Sequence, residues 1–505
     1  MRRRITATVA AVVAAAAVAY PVLDAVDVAP GVLTSDWSVG GSVPQVVSVQ
    51  AAHVADADAT GLEGGRGSEL VLDPAAPVPD PTRLAERLRP VLAAPALGPR
   101  AGAMVLDAAT GAALLTVHPD VPRTPASTAK VLTAAAVAAD SDLAVTRRTR
   151  VVAGAQPKSL VLVADGDTLL ARGAGAAYRT AGRAGLADLA AATAKALAAD
   201  GGSGPYTLAL DDRVAAGPQL APAWERVDVA AGLTGPVTML GLADDRALPG
   251  RPASADPAMT AAVAFRDALQ EAGVDVAEAV TRVPGRGAPR HGRQLAEVRS
   301  APLADVLTLA LAESDNALTE VVARRAFADR GVPATFEAAG AHVVSTLAGL
   351  GVSTEGLRLL DTSGLTRGSR ATVRTITETT ALALGDRLPG FTRVVAGLPV
   401  AGLTGTLFDR FEAPAALPGR GLVRGKSGTL TGVGGLTGTL VDTSGRLLVY
   451  TVLADSAPPG ATLATRAALD AVTTAIVTCE CSATGASGLR GAWPTAGLAG
   501  GDVAG

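Results

Sequence analysis

The elements of a single layered domain are written at the two ends of this chain, with a different block between them. Near the front, Ala103–Leu106 and Ala112–Val117 are short apolar runs around Asp107-Ala108-Ala109-Thr110-Gly111, which reads as a β-hairpin. Pro125 then precedes an Ala/Leu/Val-rich helix from Ser127 to about Ala139. Near the back, Gly421–Leu430, Gly434–Asp442 and Leu447–Ala454 read as three strands, with Thr443-Ser444-Gly445-Arg446 as the second turn. A helix follows over about Ala461–Thr478, and another, capped by Thr82, opens the set with Leu84, Leu88 and Val91 on one face. Helices from both ends flank strands from both ends. The expected class is therefore α+β: a discontinuous domain over residues 81–150 and 295–481, an antiparallel sheet flanked by helices with a helical subdomain. The middle, 151–294, reads as an inserted smaller α/β domain, with strands at Leu160–Val163 and Tyr206–Leu210 and helices at Leu186–Leu197 and Pro257–Ala272.

The outer segments read differently. Arg2-Arg3-Arg4 followed by an apolar run from Ile5 to about Leu23 has the form of an export signal or a single membrane anchor over residues 1–25. Residues 26–80 read as a low-complexity spacer and 482–505 as a flexible tail. Export places the remainder outside the cytoplasm, in the cell envelope, either anchored or secreted. With 44 Lys+Arg against 47 Asp+Glu and a net charge of −3, no nucleic-acid partner is expected. The single apolar run argues against a multi-span membrane protein. Two Cys and four scattered His, with no H-x-x-x-H pair, give no expected metal site or cofactor.

One compositional bias directs attention to particular residues. The basic residues are almost all Arg, and the only lysines are Lys130, Lys158, Lys195 and Lys426; Asn316 is the only asparagine. Arginine serves as a surface cation but does not give up its proton, so a retained lysine marks a place where a neutral amine is useful.

Ser127-Thr128-Ala129-Lys130 is S-x-x-K at a helix start. Residues three apart share a helical face, so Lys130 can reach the Ser127 hydroxyl. A serine nucleophile needs a neighbouring base, and a desolvated lysine beside another cation supplies one. Ser314-Asp315-Asn316 is a polar triplet inside the apolar-periodic stretch Leu303–Arg325, which suggests a loop or helix break facing a cleft. Ser314 can relay a proton, and the Asn316 amide offers a donor and an acceptor. Lys426-Ser427-Gly428-Thr429 lies on the first of the three C-terminal strands, where Gly428 lets a ligand approach and the cation and hydroxyls suit a carboxylate. Taken singly, these are also what a helix cap, a solvated lysine and a polar edge strand look like.

In this order the three motifs resemble the signature S-x-x-K, S-D-N, K-[TS]-G of the penicillin-binding proteins and serine β-lactamases. The chain is most similar to the class C low-molecular-mass penicillin-binding proteins, the D-alanyl-D-alanine carboxypeptidase/endopeptidase (DacB-like) family. Asp361-Thr362-Ser363-Gly364-Leu365-Thr366-Arg367 resembles the family's D-G-S-G-L-S-R stretch, and Ala221-Pro222-Ala223-Trp224 resembles part of its inserted domain. Thr362 departs from the family's glycine and Ser427 from its usual threonine. The stretch between the first two motifs is short for the family, so a second inserted domain is expected to be absent or trimmed.

The resemblance implies a serine β-lactamase/transpeptidase-like fold and a serine D-Ala-D-Ala carboxypeptidase, able also to act as an endopeptidase. The substrate implied is a peptidoglycan stem peptide, with β-lactams as covalent inhibitors. It assigns Ser127 as nucleophile, Lys130 as its base, Ser314 with Lys426 as proton relay, and Asn316 as holder of the peptide amide. It assigns Ser427 and Thr429 with Lys426 to the terminal carboxylate, the Ser127 and Thr429 N–H groups to the oxyanion, and Arg367 to the diamino-acid side chain. A β-lactamase is the first alternative, but the E-x-x-x-N and Y-x-N elements of such enzymes have no counterpart here. A non-catalytic wall-binding protein on the same fold is the second. Lys158, Lys195, His118 and His342 read as surface or packing residues, and the pairs Asp165/Asp167 and Asp211/Asp212 as loop turns. Cys479 and Cys481 are left either paired or free.

Overall fold

The computed structural model describes residues 75–285, 292–385 and 387–481. The export segment, the spacer up to residue 74 and the tail lie outside the described residues. Helix α1, Pro81–Leu92, starts with Pro81, whose missing N–H leaves nothing to satisfy. Its cap is Asp80 rather than Thr82: the Asp80 carboxylate accepts from the Thr82 and Arg83 N–H groups, each at 3.0 Å. An extended residue one step before the proline is better placed to cap than one already inside the first turn.

Strands β1 (Gly102–Asp107) and β2 (Ala113–Val117) form the hairpin, and α2 (Ala129–Asp140) follows, its alanines letting neighbouring helices approach closely. The chain then enters the middle block with β3 (Thr146–Ala153), β4 (Ser159–Val163), β5 (Asp167–Leu170), α3 (Leu186–Ala199), β6 (Tyr206–Asp211) and β7 (Leu240–Leu242). It leaves through α4 (Pro257–Glu271), β8 (Val276–Arg282) and β9 (Gln294–Pro302). Five of these strands make a mixed sheet, β8-β6-β4-β3-β9, in which β4, β6 and β8 run parallel and β3 pairs antiparallel with both β4 and β9. Strands β5 and β7 form a separate parallel pair. The boundary expected between residues 150 and 151 falls inside β3, and β9 carries the same sheet on to Pro302.

Helices α5 (Leu303–Ala312), α6 (Asn316–Ala328), α7 (Phe336–Gly349) and α8 (Val373–Ala381) come next. The last elements are β10 (Val423–Leu430), β11 (Val433–Val441), β12 (Leu447–Ala454) and α9 (Thr462–Val477). The outer sheet has the order β10-β11-β12-β1-β2 and is antiparallel throughout. Every residue of β12 but the first is buried, because the sheet is covered on both sides. Val449 and Leu453 face the cluster that includes α2 and α5–α8, whereas Leu448, Tyr450 and Val452 face Leu84 and Leu88 of α1 and Leu469 and Ile476 of α9. At the end of β1 the fully buried Asp107 is clasped by Arg446, with contacts of 2.6 and 2.7 Å, and these hydrogen bonds bring its carboxyl down to about 2. This pair ties the front hairpin to the turn between β11 and β12.

Candidate active site

Ser127 sits in a short 3-10 turn, Ala126–Thr128, just before α2. Thr128 closes the turn by donating to the Pro125 carbonyl through its hydroxyl (2.6 Å) and its N–H (3.2 Å). Ala126 has a φ of 46°, a left-handed conformation that a non-glycine residue adopts only when its surroundings impose it. Within this buried turn Ser127 alone is partly open. Lys130, in the first turn of α2, is fully buried and donates to Ser127 Oγ at 3.0 Å, to Asn316 Oδ1 at 2.5 Å and to the Ser363 carbonyl at 2.8 Å. Burial disfavours its charged form and lowers its pKa to about 8, against the opposing pull of Asp361, Glu320 and Asp315.

The S-D-N triplet is the junction of two helices. Helix α5 ends at Ala312, and Ser314 adopts a φ of 58° where such an ending normally has glycine. The Ser314 N–H bonds the Leu311 carbonyl (3.3 Å) and the Asp315 N–H bonds that of Ala310 (3.0 Å), the paired closure of a Schellman ending. Asp315 then caps α6 by accepting from the Leu318 N–H at 2.8 Å, and Arg246 of the inserted block grips the same carboxylate at 2.7 Å. Asn316 is the first residue of α6, and its Nδ2 donates to the Leu233 carbonyl of the inserted block at 2.7 Å. One amide N–H and one carbonyl lone pair of Asn316 remain for a ligand.

Strand β10 is an outer strand of its sheet and lies against the Ser127 turn. A Cβ on Gly428 would come within 3.0 Å of the Pro125 carbonyl and 3.1 Å of the Thr128 nitrogen, so only glycine permits this approach without displacement. Lys426 is fully buried and donates to Ser314 Oγ at 2.9 Å and to the Ser427 carbonyl at 2.7 Å. Burial, aided by Lys130 and Arg410, depresses its pKa well below that of an ordinary lysine. The pleat puts Ser427 and Thr429 on one side of the strand and Lys426 and Gly428 on the other, with Thr431 in the turn just past its end. Ser427 Oγ donates to Thr406 Oγ1 at 2.9 Å. Arg367 reaches the row of hydroxyls at Thr431 Oγ1 (3.4 Å) and pairs with Glu225 of the inserted block at 3.1 Å.

Five sequence-selected residues therefore meet in two bonded groups, Ser127–Lys130–Asn316 and Ser314–Lys426, joined through the short Ser314–Asn316 step. Ser427 and Thr429 border them on β10, and Arg367 lies at the rim. Several contributors had no motif to announce them: the Leu233 carbonyl, Thr406, Thr431 and the buried carboxylate Glu320; Asp361 and the Ser363 carbonyl lie in the stretch that resembles D-G-S-G-L-S-R, but with no role assigned to them from sequence. Lys158 and Lys195 are exposed. His118 contacts the Ala101 carbonyl and His342 contacts Asp140. Asp165, Asp211 and Asp212 face Arg325, Arg213 and Arg282. Cys479 and Cys481 are paired. Among the described residues no group of three or more His, Cys, Asp or Glu could hold a metal ion.

Comparison with protein families matches the D-Ala-D-Ala carboxypeptidase 3 (S13) family over residues 84–249 and 243–476. The chain belongs to the S13 family. It is 35% identical over 421 residues to the carboxypeptidase DacB of Mycolicibacterium smegmatis, covering 82% of this chain and 87% of the relative. A carboxypeptidase of Mycobacterium tuberculosis is 36% identical over 416 residues, with 82% and 87% covered. The structure of penicillin binding protein 4 (dacB) from Haemophilus influenzae superposes with a TM-score of 0.61 at 18% identity, covering 79% of this chain and 98% of that one, which shows a shared fold. As an S13 member the protein is a serine D-Ala-D-Ala carboxypeptidase on a serine β-lactamase/transpeptidase-like fold, the class and activity that the three motifs led us to expect.

Proposed function

We propose that Ser127 is the nucleophile of this carboxypeptidase and that it is acylated by the penultimate D-Ala of a peptidoglycan stem peptide. The observation that carries this is the buried Lys130 amine, 3.0 Å from Ser127 Oγ and with its pKa drawn down to about 8. As Ser127 Oγ bonds to the carbonyl carbon, its proton passes to Lys130 Nζ. The N–H groups of Ser127 and Thr429 receive the oxyanion, each worth about 3–4 kcal/mol in such sites. Collapse breaks the peptide bond, and the leaving D-Ala nitrogen takes its proton from Ser314, which Lys426 resupplies. Asn316 holds the peptide amide with its remaining donor and acceptor, Lys426, Ser427 and Thr429 hold the terminal carboxylate, and Arg367 meets the stem's diamino-acid side chain. Water then hydrolyses the ester by the reverse proton path. A cross-linked peptide cleaved at the same bond would make the enzyme a DD-endopeptidase.

A β-lactam presents a similar carbonyl and carboxylate and acylates Ser127 in the substrate's place. A second solved structure of the Haemophilus influenzae protein is a complex with a β-lactam, which supports this reading. The work is done outside the cytoplasm, after export directed by residues 1–25, which serve as a cleaved signal or a single membrane contact. Intact mass spectrometry after exposure to benzylpenicillin tests the assignment: one adduct on the wild type and none on Ser127→Ala, alongside D-Ala release from diacetyl-Lys-D-Ala-D-Ala. An adduct retained by Ser127→Ala would refute it, and rapid multiple turnover of a chromogenic cephalosporin would favour a β-lactamase.

A further inference from the structure

Behind the Ser127–Lys130 pair lies a buried carboxylate with no part in the steps above. Glu320 is one turn along α6 from Asn316 and only 2% exposed. Its Oε1 accepts from the Thr362 N–H at 2.9 Å and the Ser363 N–H at 2.8 Å, and its Oε2 accepts from the Thr362 hydroxyl at 2.6 Å. Ser363 is the residue whose carbonyl accepts from Lys130. Thr362 is braced from the other side, its carbonyl accepting from Thr133 of α2 at 2.6 Å. The backbone unit that aims an acceptor at Lys130 is thus held by Glu320 through three hydrogen bonds.

We infer that Glu320, clamped by Thr362, is a positioning residue that fixes the Ser363 carbonyl on Lys130 and sets the pH at which Lys130 becomes a free amine. This rests on Lys130 acting as the base for Ser127. The clamp is particular to this chain in one respect: the Thr362 hydroxyl stands where the resembling family has glycine, and among the described residues it supplies the one hydrogen bond to Oε2.

Two effects act on Lys130. The clamp gives it a third acceptor, and the negative charge of Glu320 favours its ammonium form through space. Glu320 is itself poised to change charge near neutrality, since burial and the neighbouring Asp361 push its pKa up to about 7. The other charges around this pair are accounted for. Asp361 is held by Trp224 Nε1, the N–H groups of Gly364 and Thr366, and the Thr366 hydroxyl. Asp315 is gripped by Arg246, and Arg324, the next turn of α6, donates to the Pro218 carbonyl. Lys426 approaches from β10. On α5, Asp305 pairs with Arg393; on α7, His342 pairs with Asp140 and Glu337 is exposed.

Glu320→Gln isolates the charge. The amide oxygen can keep both N–H donors, while the amide nitrogen donates to the Thr362 hydroxyl, which reverses its role. The full chain, its Glu320→Gln and its Thr362→Val variants would be titrated for the second-order rate of acylation by a fluorescent penicillin between pH 5.5 and about 9.5. For Glu320→Gln the acid limb moves down by about one pH unit, making the variant about fivefold faster than wild type at pH 7. Thr362→Val removes a hydrogen bond that favours the ionised carboxylate, so its limb moves the same way by less. A limb that stays in place in both variants overturns the inference while leaving Ser127 and Lys130 in their roles. A wild type that takes no penicillin label overturns it together with the reading on which it rests.

Discussion

Lys130 donates to the Asn316 side-chain oxygen at 2.5 Å across 186 positions of sequence, joining one of four lysines to the only asparagine. That contact brings the helix that follows Ser127 to the junction that carries the second motif. It also ties the middle block to Lys130, because the other end of the same amide is bonded to Leu233.

The first prediction concerns the base. With its pKa near 8, Lys130 is mostly protonated in neutral solution, so penicillin acylation of the wild type rises with pH through about 8. Lys130→Arg keeps a cation but removes the proton acceptor, and the acylation rate falls roughly 10²–10⁴-fold with no rising limb in that range. Stopped-flow labelling across pH measures both.

Ser314 occupies a left-handed helix ending at which glycine is unstrained. Ser314→Gly therefore relieves about 1 kcal/mol of backbone strain but takes an acceptor from the buried Lys426, so stability stays within about 1–2 kcal/mol of wild type while D-Ala release slows by roughly tenfold or more. Calorimetry and D-Ala release on the same preparation measure both; a loss of stability of about 3 kcal/mol or more would contradict the strain argument.

Trp224 reaches from the inserted block to donate its indole N–H to the buried Asp361 at 2.9 Å. Trp224→Phe keeps most of the ring packing against Phe336 but leaves that carboxylate one donor short. The expected loss is about 1–3 kcal/mol, read as a lower urea midpoint with an unchanged slope.

The Asp107–Arg446 clasp predicts acid sensitivity. The Asp107 carboxyl lies near 2 in the folded protein against 3.8 ordinarily, so its stabilisation is complete above about pH 4 and is lost as the pH falls through 2. The amount at stake is roughly 2 kcal/mol. Urea unfolding at pH 5 and at pH 2.5 gives the difference, and Asp107→Asn shows a correspondingly smaller dependence on pH.

What could be read from the chain depended on whether function lay in a side chain or in the backbone. Lys130, Asn316 and Lys426 belong to residue types that this composition otherwise avoids, and Ser127 and Ser314 stand in the same short motifs, so all five stood out. Leu233 and Ser363 contribute only carbonyls, which every residue has; no pattern marks Leu233, and the matched stretch around Ser363 does not say that its carbonyl is the part used. Glu320 lies in an unbroken helical run, and only the fold reveals that it faces the Thr362–Ser363 backbone. Thr146-Arg147-Arg148-Thr149-Arg150, just before the expected boundary at residue 151, is a polar run with no apolar alternation to mark a strand. It forms the first half of β3, where two of those arginines are matched by acids: Arg147 by Asp329 and Arg148 by Glu297. Asp80 outcompeted Thr82 as a cap because the proline between them sets where the helix begins.

Strand β1 is flanked by β12 on one side and β2 on the other, with Gly102 opposite Leu453 and Asp107 opposite Leu448. During synthesis the first of these partners emerges from the ribosome only when nearly all the chain has been made. Until then β1 has only β2 to pair with, and the central part of the sheet beside Ser127 is missing. Closing so long a loop is a late step, so a chain cut short before residue 447 has all three motifs but lacks the strand that joins the β1–β2 hairpin to β10 and β11.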